Sequence, residues 1–321
     1  MTHRFTEDEL IEKLFAPLAG PAGLGLADDA ALLPVGEVSV ATVDALVASV
    51  HFFADDPPAA IAKKALRVNL SDLAAKGAEP LGFLLALALP QDWTNDWLAA
   101  FAQGLDEDAA RFSCPLVGGD TVKTPGPLTI SITALGRVKG RFVPRAGAKV
   151  GDGVFVSGTI GDAALGLRLR TDPALAARLS ASSRDFLLDR YLLPTPRLEL
   201  APLLRAGASA AMDISDGLLG DLAKLARASK VSAQVALAEI PFSEAAREAL
   251  ALAPALIEAL LCGGDDYEIL ACGEAALLGG GPNGQGDFRR IGEIVAGGEP
   301  PRLVNERGNI IEFKSLSFSH F

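Results

Sequence analysis

Between Val38 and Val138 the chain changes its apolar period again and again, and this limits the folds open to it. Val38, Val40, Thr42 and Asp44 alternate with Ser39, Ala41 and Val43, the two-residue repeat of a strand. Residues 57–76 then read as a helix, opened by Asp55-Asp56-Pro57-Pro58 and stopped by Gly77. There follow an apolar strand over Leu81–Leu89, a helix near Asn95–Arg111 and a strand ending at Val117. After the turn Thr124-Pro125-Gly126-Pro127 comes an alternating strand over Leu128–Val138. Strands interleaved with helices in this way predict an α/β domain.

The segment Arg141–Asp152, with Pro144 and the turn Val150-Gly151-Asp152-Gly153, reads as a domain boundary. We therefore expect an N-terminal α/β domain over 1–140 and a C-terminal α+β domain over 141–321. A length of 321 residues fits that division at roughly 150 residues per domain. Beyond the boundary, Val154–Ser157 and Ala210–Ile214 read as strands, and Ile160–Arg170 and 217–228 as helices. Ile291–Val295 and Ile310–Phe313 are the clearest strands of the Gly-rich last 50 residues.

Composition narrows the function class. Half of the residues are apolar, which excludes a disordered chain. Acidic residues number 40 against 29 Lys plus Arg, a net charge of -11, which argues against a nucleic-acid binder. The apolar run at Leu84–Leu89 is too short to span a bilayer, and Glu7, Asp8, Glu9 and Glu12 do not suit a signal peptide. Cys114, Cys262 and Cys272 lack metal-type spacing and fit small core residues of a cytoplasmic protein. The dipeptide Gly-Lys is absent, so there is no Walker A loop. Gly279, Gly281 and Gly284 fit G-x-G-x-x-G, but Pro282 interrupts it and no strand–helix frame surrounds it. No G-x-S-x-G elbow occurs, and the histidines at 3, 51 and 320 are not at metal-ligand spacing.

The aspartates are less evenly spread than solvation alone requires. Asp28-Asp29, Asp44, Asp120, Asp213 with Asp216, and Asp265-Asp266 fall at strand ends or within apolar segments. On the helix over 57–76, Lys63, Lys64, Arg67 and Ser71 form one polar arc. Asn69 and Asp72 fall instead beside Ile61, Ala62 and Ala65, on the arc that should face inward. A carboxylate there must be paired, hydrogen-bonded or bound to a cation; backbone amides or Lys76 are the alternative partners. Likewise Ser215 or Asp216 can be read as a cap of the helix at 217–228, and Asp44 and Asp120 as turn residues. Five such acidic segments together point to hard cations, above all magnesium, offsetting a polyanionic substrate.

Seven segments in order carry a resemblance: Gly25-Leu-Ala-Asp-Asp-Ala-Ala, Thr42-Val-Asp-Ala-Leu-Val-Ala-Ser-Val-His-Phe, Asn69-Leu-Ser-Asp-Leu-Ala-Ala, Gly118-Gly-Asp-Thr, Arg145-Ala-Gly-Ala-Lys, Met212-Asp-Ile-Ser-Asp-Gly-Leu and Gly263-Gly-Asp-Asp-Tyr-Glu. Together they resemble the thiamine-monophosphate kinase family, over nearly the whole chain. The resemblance implies ATP-dependent phosphorylation of thiamine monophosphate to thiamine diphosphate, and the two-domain fold shared with aminoimidazole ribonucleotide synthetase and selenophosphate synthetase. In that fold the N-terminal sheet pairs across a homodimer. It further implies several magnesium ions on Asp29, Thr42, Val43, Asp44, Asp72, Asp120, Asp213 and Asp216. Gly119, Asp120, Arg145 and Ser215 would contact ATP, and His51, Asp265 and Phe318 the thiamine substrate. Val43 replaces a usual Thr, so its metal contact can come through the backbone alone; Asp265 replaces a usual Glu; Ser317 and Ser319 replace Gly and Asp around Phe318.

The acceptor, a phosphate oxygen, is largely ionised at pH 7, so no general base is expected. Taken without the resemblance, His51 reads as a structural histidine and Phe318 as a core residue. The competing readings are another ATP-dependent synthetase of the same superfamily, and a non-catalytic nucleotide- or metal-binding relative. The first cysteine being Cys114 argues against a selenophosphate synthetase, which carries its reactive residue near the N-terminus.

Overall fold

The computed structural model describes residues 11–19, 38–274, 288–313 and 317. The chain divides into two units, Met1–Leu73 with Ala78–Lys139, and Ala74–Gly77 with Gly140–Phe321.

In the first unit, β1 (Val38–Val47), β2 (Glu79–Leu89), β3 (Leu116–Lys123) and β4 (Thr129–Val138) form one sheet in the order β1-β4-β2-β3. The β1–β4 and β4–β2 pairs are antiparallel and β2–β3 is parallel. Among the described residues, the α-helices of this unit are α1 (Pro58–Ala75) and α2 (Asn95–Arg111). β4 alternates buried and half-buried residues along its whole length, the signature of a sheet covered on one face. The covering is tight: a Cβ on Gly136 of β4 would lie 3.0 Å from Leu73 of α1, and one on Gly104 of α2 would lie 2.5 Å from the backbone of Ala59.

That second contact corrects the reading of α1. Lys64, Arg67 and Ser71, which read as one polar arc, are buried, Arg67 against α2 and Lys64 against the chain at His51. Asp108 of α2 receives Arg67 through Nε at 2.5 Å and Nη2 at 2.9 Å, and Lys64 donates to the carbonyl of His51 at 3.1 Å. A helix that is enclosed on several sides keeps charged residues only where partners of this kind exist.

The strand expected to end at Val117 instead starts at Leu116 and runs to Lys123, so Asp120 lies inside a strand and not at its end. Gly118-Gly119 resembles a turn in sequence, yet a Cβ on Gly119 would lie 2.1 Å from the Leu85 carbonyl oxygen of β2. Glycine is required there by the approach of two strands.

Among the described residues, the other face of this sheet is left open. Val43 (61% exposed), Leu84 (37%) and Val122 (49%) lie on it. Register ties them together: Val43 is opposite Thr133, which is opposite Leu84, which is opposite Gly118.

In the second unit the described residues form a sheet of seven strands in the order β11-β10-β7-β9-β5-β8-β6. These are β5 (Gly153–Ser157), β6 (Ala208–Asp213), β7 (Ser232–Ala236), β8 (Ile269–Gly273), β9 (Phe288–Val295), β10 (Arg302–Val304) and β11 (Ile310–Ile311). All neighbours are antiparallel except β10 with β7. Its helices are α3 (Asp162–Thr171), α4 (Pro173–Ala176), α5 (Ala181–Leu192), α6 (Ala201–Gly207), α7 (Leu218–Ser229), α8 (Glu244–Leu252) and α9 (Ile257–Cys262). The apolar positions Leu218, Leu222 and Leu225 of α7 pack with Val154, Val156 and Met212 of the sheet. The three cysteines are free and buried, and burial pushes the Cys114 thiol up to about 12. No described helix is long and apolar enough to cross a membrane.

Candidate functional site

In the first unit, β1 and α1 bring four of the sequence's polar residues together. Thr42 and Asp44 alternate onto the helix-covered face of β1, and Asn69 and Asp72 are one turn apart on α1. The Thr42 hydroxyl donates to Asp72 Oδ2 at 2.5 Å. The Asp44 amide donates to Asn69 Oδ1 at 3.1 Å, while Asn69 Nδ2 donates to the Ala65 carbonyl, also at 3.1 Å. Asn69, fully buried, is therefore a fixed strut between strand and helix. Burial first, and the Asp72 carboxylate second, raise Asp44 from 3.8 to about 6. Lys76, the alternative partner weighed for Asp72, donates to the Ala211 carbonyl at 2.7 Å.

Two carboxylates held against each other, with a hydroxyl and carbonyls beside them, form an all-oxygen donor set that suits a hard cation. Among the described residues, no group of three or more His, Cys, Asp or Glu side chains is close enough to hold a metal ion. The fit is thus to magnesium, which takes one or two carboxylates and completes its shell with water and phosphate oxygens. The Val43 side chain lies on the open face and offers no ligand atom.

Asp120 does not join this pair within the chain. It is exposed and opposite Ala86, in the row that continues through Ser131 to Ala45 on the open face. Asp44 belongs to the adjacent row, opposite Ile132. The two acids are on opposite edge strands, three strand spacings or roughly 14 Å apart.

His51 closes the turn after β1. Its Nδ1 accepts the Val47 amide at 3.0 Å, which in the neutral ring leaves the proton on Nε2. Ser49, with φ of 67°, accommodates the bend.

In the second unit, Asp213 ends β6 and is buried, and Ser215 and Asp216 form the loop to α7. Neither caps the helix: the N-cap is Gly217, with φ of 102° and no side-chain cap. Asp221, from the first turn of α7, reaches back to accept the amides of Ser215 at 3.0 Å and Asp216 at 2.9 Å. Lys224 donates to Asp221 at 2.8 Å and also to Asp216. Sequence reasoning passed over Asp221 and Lys224; an acid inside the first turn of an otherwise apolar helix was the available signal. Arg145 is exposed on a loop fixed to β6 by the Ala211 amide, which donates to the Pro144 carbonyl at 2.9 Å.

Asp265 sits with φ of 72° and Tyr267 with φ of 51°, both in the left-handed region. The Asp265 amide donates to the Ser215 carbonyl at 2.9 Å, so the turn of Asp265 and the loop of Asp216 are adjoining. Asp29, Phe318 and Ser319, and the match at Gly279, Gly281 and Gly284, lie outside the described residues.

Comparison with known proteins agrees with this architecture. The model of "AIR synthase related protein, N-terminal domain" matches residues 27–138, and that of "AIR synthase related protein, C-terminal domain" matches 149–302. The two matches together define a two-domain AIR synthase related protein. The thiamine-monophosphate kinase of Caulobacter vibrioides is 42% identical over 320 residues, covering 97% of this chain and 86% of that one. The solved thiamine-monophosphate kinase of Stenotrophomonas maltophilia K279a superposes with a TM-score of 0.76 at 39% identity, over 87% of this chain and 89% of its own. A structure of AaThiL complexed with AMPPCP and TMP gives 0.79 at 31% identity, with both chains covered in full. The chain belongs to the thiamine-monophosphate kinase family.

Proposed function

We propose that this protein transfers the γ-phosphoryl group of ATP to the phosphate of thiamine monophosphate, giving thiamine diphosphate and ADP. The observation that carries the reading is the Thr42–Asp72–Asp44–Asn69 cluster, an oxygen-donor site built by family segments in a chain without a Walker loop. The AaThiL complex with AMPPCP and TMP supports both substrates.

An ionised phosphate oxygen attacks the γ-phosphorus, and the β,γ-bridging oxygen leaves with ADP, so no side chain needs to remove a proton. The obstacle is repulsion between two phosphate groups. Asp44, Asp72, Thr42 and the Val43 carbonyl are the residues that would hold magnesium, as would Asp29, Asp213 and Asp216. Magnesium, when bound, supplies charge neutralisation and alignment of the reacting oxygens. Thr42 orients Asp72 through its hydroxyl. Arg145, Gly119 and Ser215 bind nucleotide phosphates; Lys224 and Asp221 fix the loop that presents Ser215 and Asp216. His51 donates from Nε2 to the substrate phosphate, and Asp265 and Phe318 contact its thiamine part.

The protein acts in the cytoplasm as a homodimer. Val43, Leu84 and Val122, exposed on one face of the sheet, support the dimer, since an apolar sheet face of this kind calls for a cover. Two such faces related by a two-fold axis along the strands lay the β3 edge of one chain over the β1 edge of the other. In that arrangement the partner subunit's Asp120 would come over the open face of β1, beside Val43.

The test is direct: incubate protein, ATP, magnesium and thiamine monophosphate, and follow thiamine diphosphate by chromatography. Product with stoichiometric ADP supports the reading; ATP turnover only with another acceptor overturns it.

A further inference from the structure

The strained turn that carries Asp265 is held by a buried set of charges that the reaction itself does not use. Glu268, fully buried, is gripped by two arginines. Arg197 gives it a bidentate fork, Nε to Oε2 at 2.7 Å and Nη2 to Oε1 at 2.6 Å. Arg190 adds Nη2 to Oε1 at 2.9 Å and a second bond to the Asp266 carbonyl at 3.2 Å, while Ser157 donates to Oε2 at 2.6 Å. The carboxylate lies so close to the backbone of β5's end that a Cβ on Gly158 would fall 2.3 Å from it.

Two residues earlier, Asp266, also fully buried, turns its carboxylate to the start of α3. It accepts the Gly161 amide at 2.7 Å and the Ala163 amide at 3.4 Å. Between and beside these anchors stand Asp265 and Tyr267, whose positive φ values an unrestrained chain would abandon. Three backbone bonds complete the hold: Ile214 N to the Glu268 carbonyl, Tyr267 N to the Ile214 carbonyl and Asp265 N to the Ser215 carbonyl, at 2.8, 2.8 and 2.9 Å. Buried charges are costly unless fully partnered, and this set is partnered around the conformation of the half-buried Asp265.

We propose that Glu268 with its Arg197–Arg190 clamp, and Asp266 on α3, are positioning residues that hold the Asp265–Tyr267 turn in its substrate-binding shape. The inference rests on the assignment of Asp265 to the thiamine substrate. Arg197 is the residue to change, because it is partly exposed and Glu268 keeps Arg190 when it is lost.

The experiment measures kcat and KM for thiamine monophosphate in wild type, Arg197→Met, Arg197→Lys, Asp265→Asn and the Arg197→Met/Asp265→Asn double variant. Arg197→Met is expected to raise KM about 10-fold with kcat reduced less than about 3-fold, the pattern of lost binding and not of lost chemistry. Lysine keeps the charge without the fork and should restore KM to within about 3-fold of wild type. The double variant should show a KM within about 2-fold of Asp265→Asn alone, because both changes remove one contact. An Arg197→Met protein with a lowered melting temperature and unchanged KM overturns the proposal while leaving the kinase reading intact. Multiplicative effects in the double variant also overturn it. Wild type without thiamine diphosphate formation, or Asp265→Asn with unchanged KM, overturns the underlying assignment instead. Should Arg197→Met not fold, Arg197→Gln takes its place: a KM raised about 10-fold supports the clamp, and a wild-type KM refutes it.

Discussion

The Thr42 hydroxyl donates to the Asp72 carboxylate at 2.5 Å, joining a strand to a helix across 30 residues of chain. Asp72, held by that bond, lies close enough to Asp44 to add to the cost that burial sets on ionising it. Removing the hydroxyl alone tests the arrangement. Thr42→Val, nearly isosteric, should cost about 1–2 kcal/mol of stability and lower kcat/KM at least about 10-fold, whereas Thr42→Ser should restore both. Thermal melts and steady-state rates check this.

Asp44 gives a pH dependence with a definite sign. Its carboxyl titrates near 3.8 when unfolded and at about 6 when folded. Between those values the folded state holds the proton, so this group lowers stability as pH rises from about 4 to about 6, with no further change above. In magnesium-free buffer Asp44→Asn lacks that slope. It should be more stable than wild type by about 1–2 kcal/mol at pH 7.5, after allowance for partial solvent screening. The gap should close toward pH 4. Urea melts of both proteins at several pH values measure it, and an unchanging gap would refute the burial and repulsion assigned to Asp44.

Gly119 sits where β2 and β3 come closest. Gly119→Ala sets a methyl group 2.1 Å from the Leu85 carbonyl oxygen, and is expected to destabilise the first unit by about 3 kcal/mol. A melting temperature within a degree of wild type would contradict the close approach.

The open face of the first sheet predicts association. Leu84→Glu places a charge in the middle of the Val43–Thr133–Leu84–Gly118 row. Sedimentation should show a dimer for wild type and a monomer for the variant at micromolar concentration. Activity should fall with the monomer, since Asp120 then no longer reaches β1.

Much of this was legible in local patterns. The strict alternation of β4 and the inward placement of Asn69 and Asp72 on α1 follow from counting residues, because period and face are local properties. β3 was misread because two glycines that allow strands to approach look, in one dimension, like glycines of a turn. The burial of Arg67 is hidden from local pattern because its partner Asp108, on α2, lies 41 residues further on. Strand order is also hidden from local pattern, so nothing near Asp120 tells that β4 and β2 stand between it and Asp44. The same holds for Glu268, whose arginine partners are 71 and 78 residues away.

The central claim is that Asp44 and Asp72 form the cation site of a thiamine-monophosphate kinase. Its most direct test is thiamine diphosphate formation by wild type and Asp72→Asn, followed by chromatography across a magnesium titration at fixed ATP. The account predicts saturable product formation by wild type and a loss of at least about 100-fold in Asp72→Asn, with the fold retained by circular dichroism. Wild-type rates from Asp72→Asn, or no thiamine diphosphate from either protein, would contradict it.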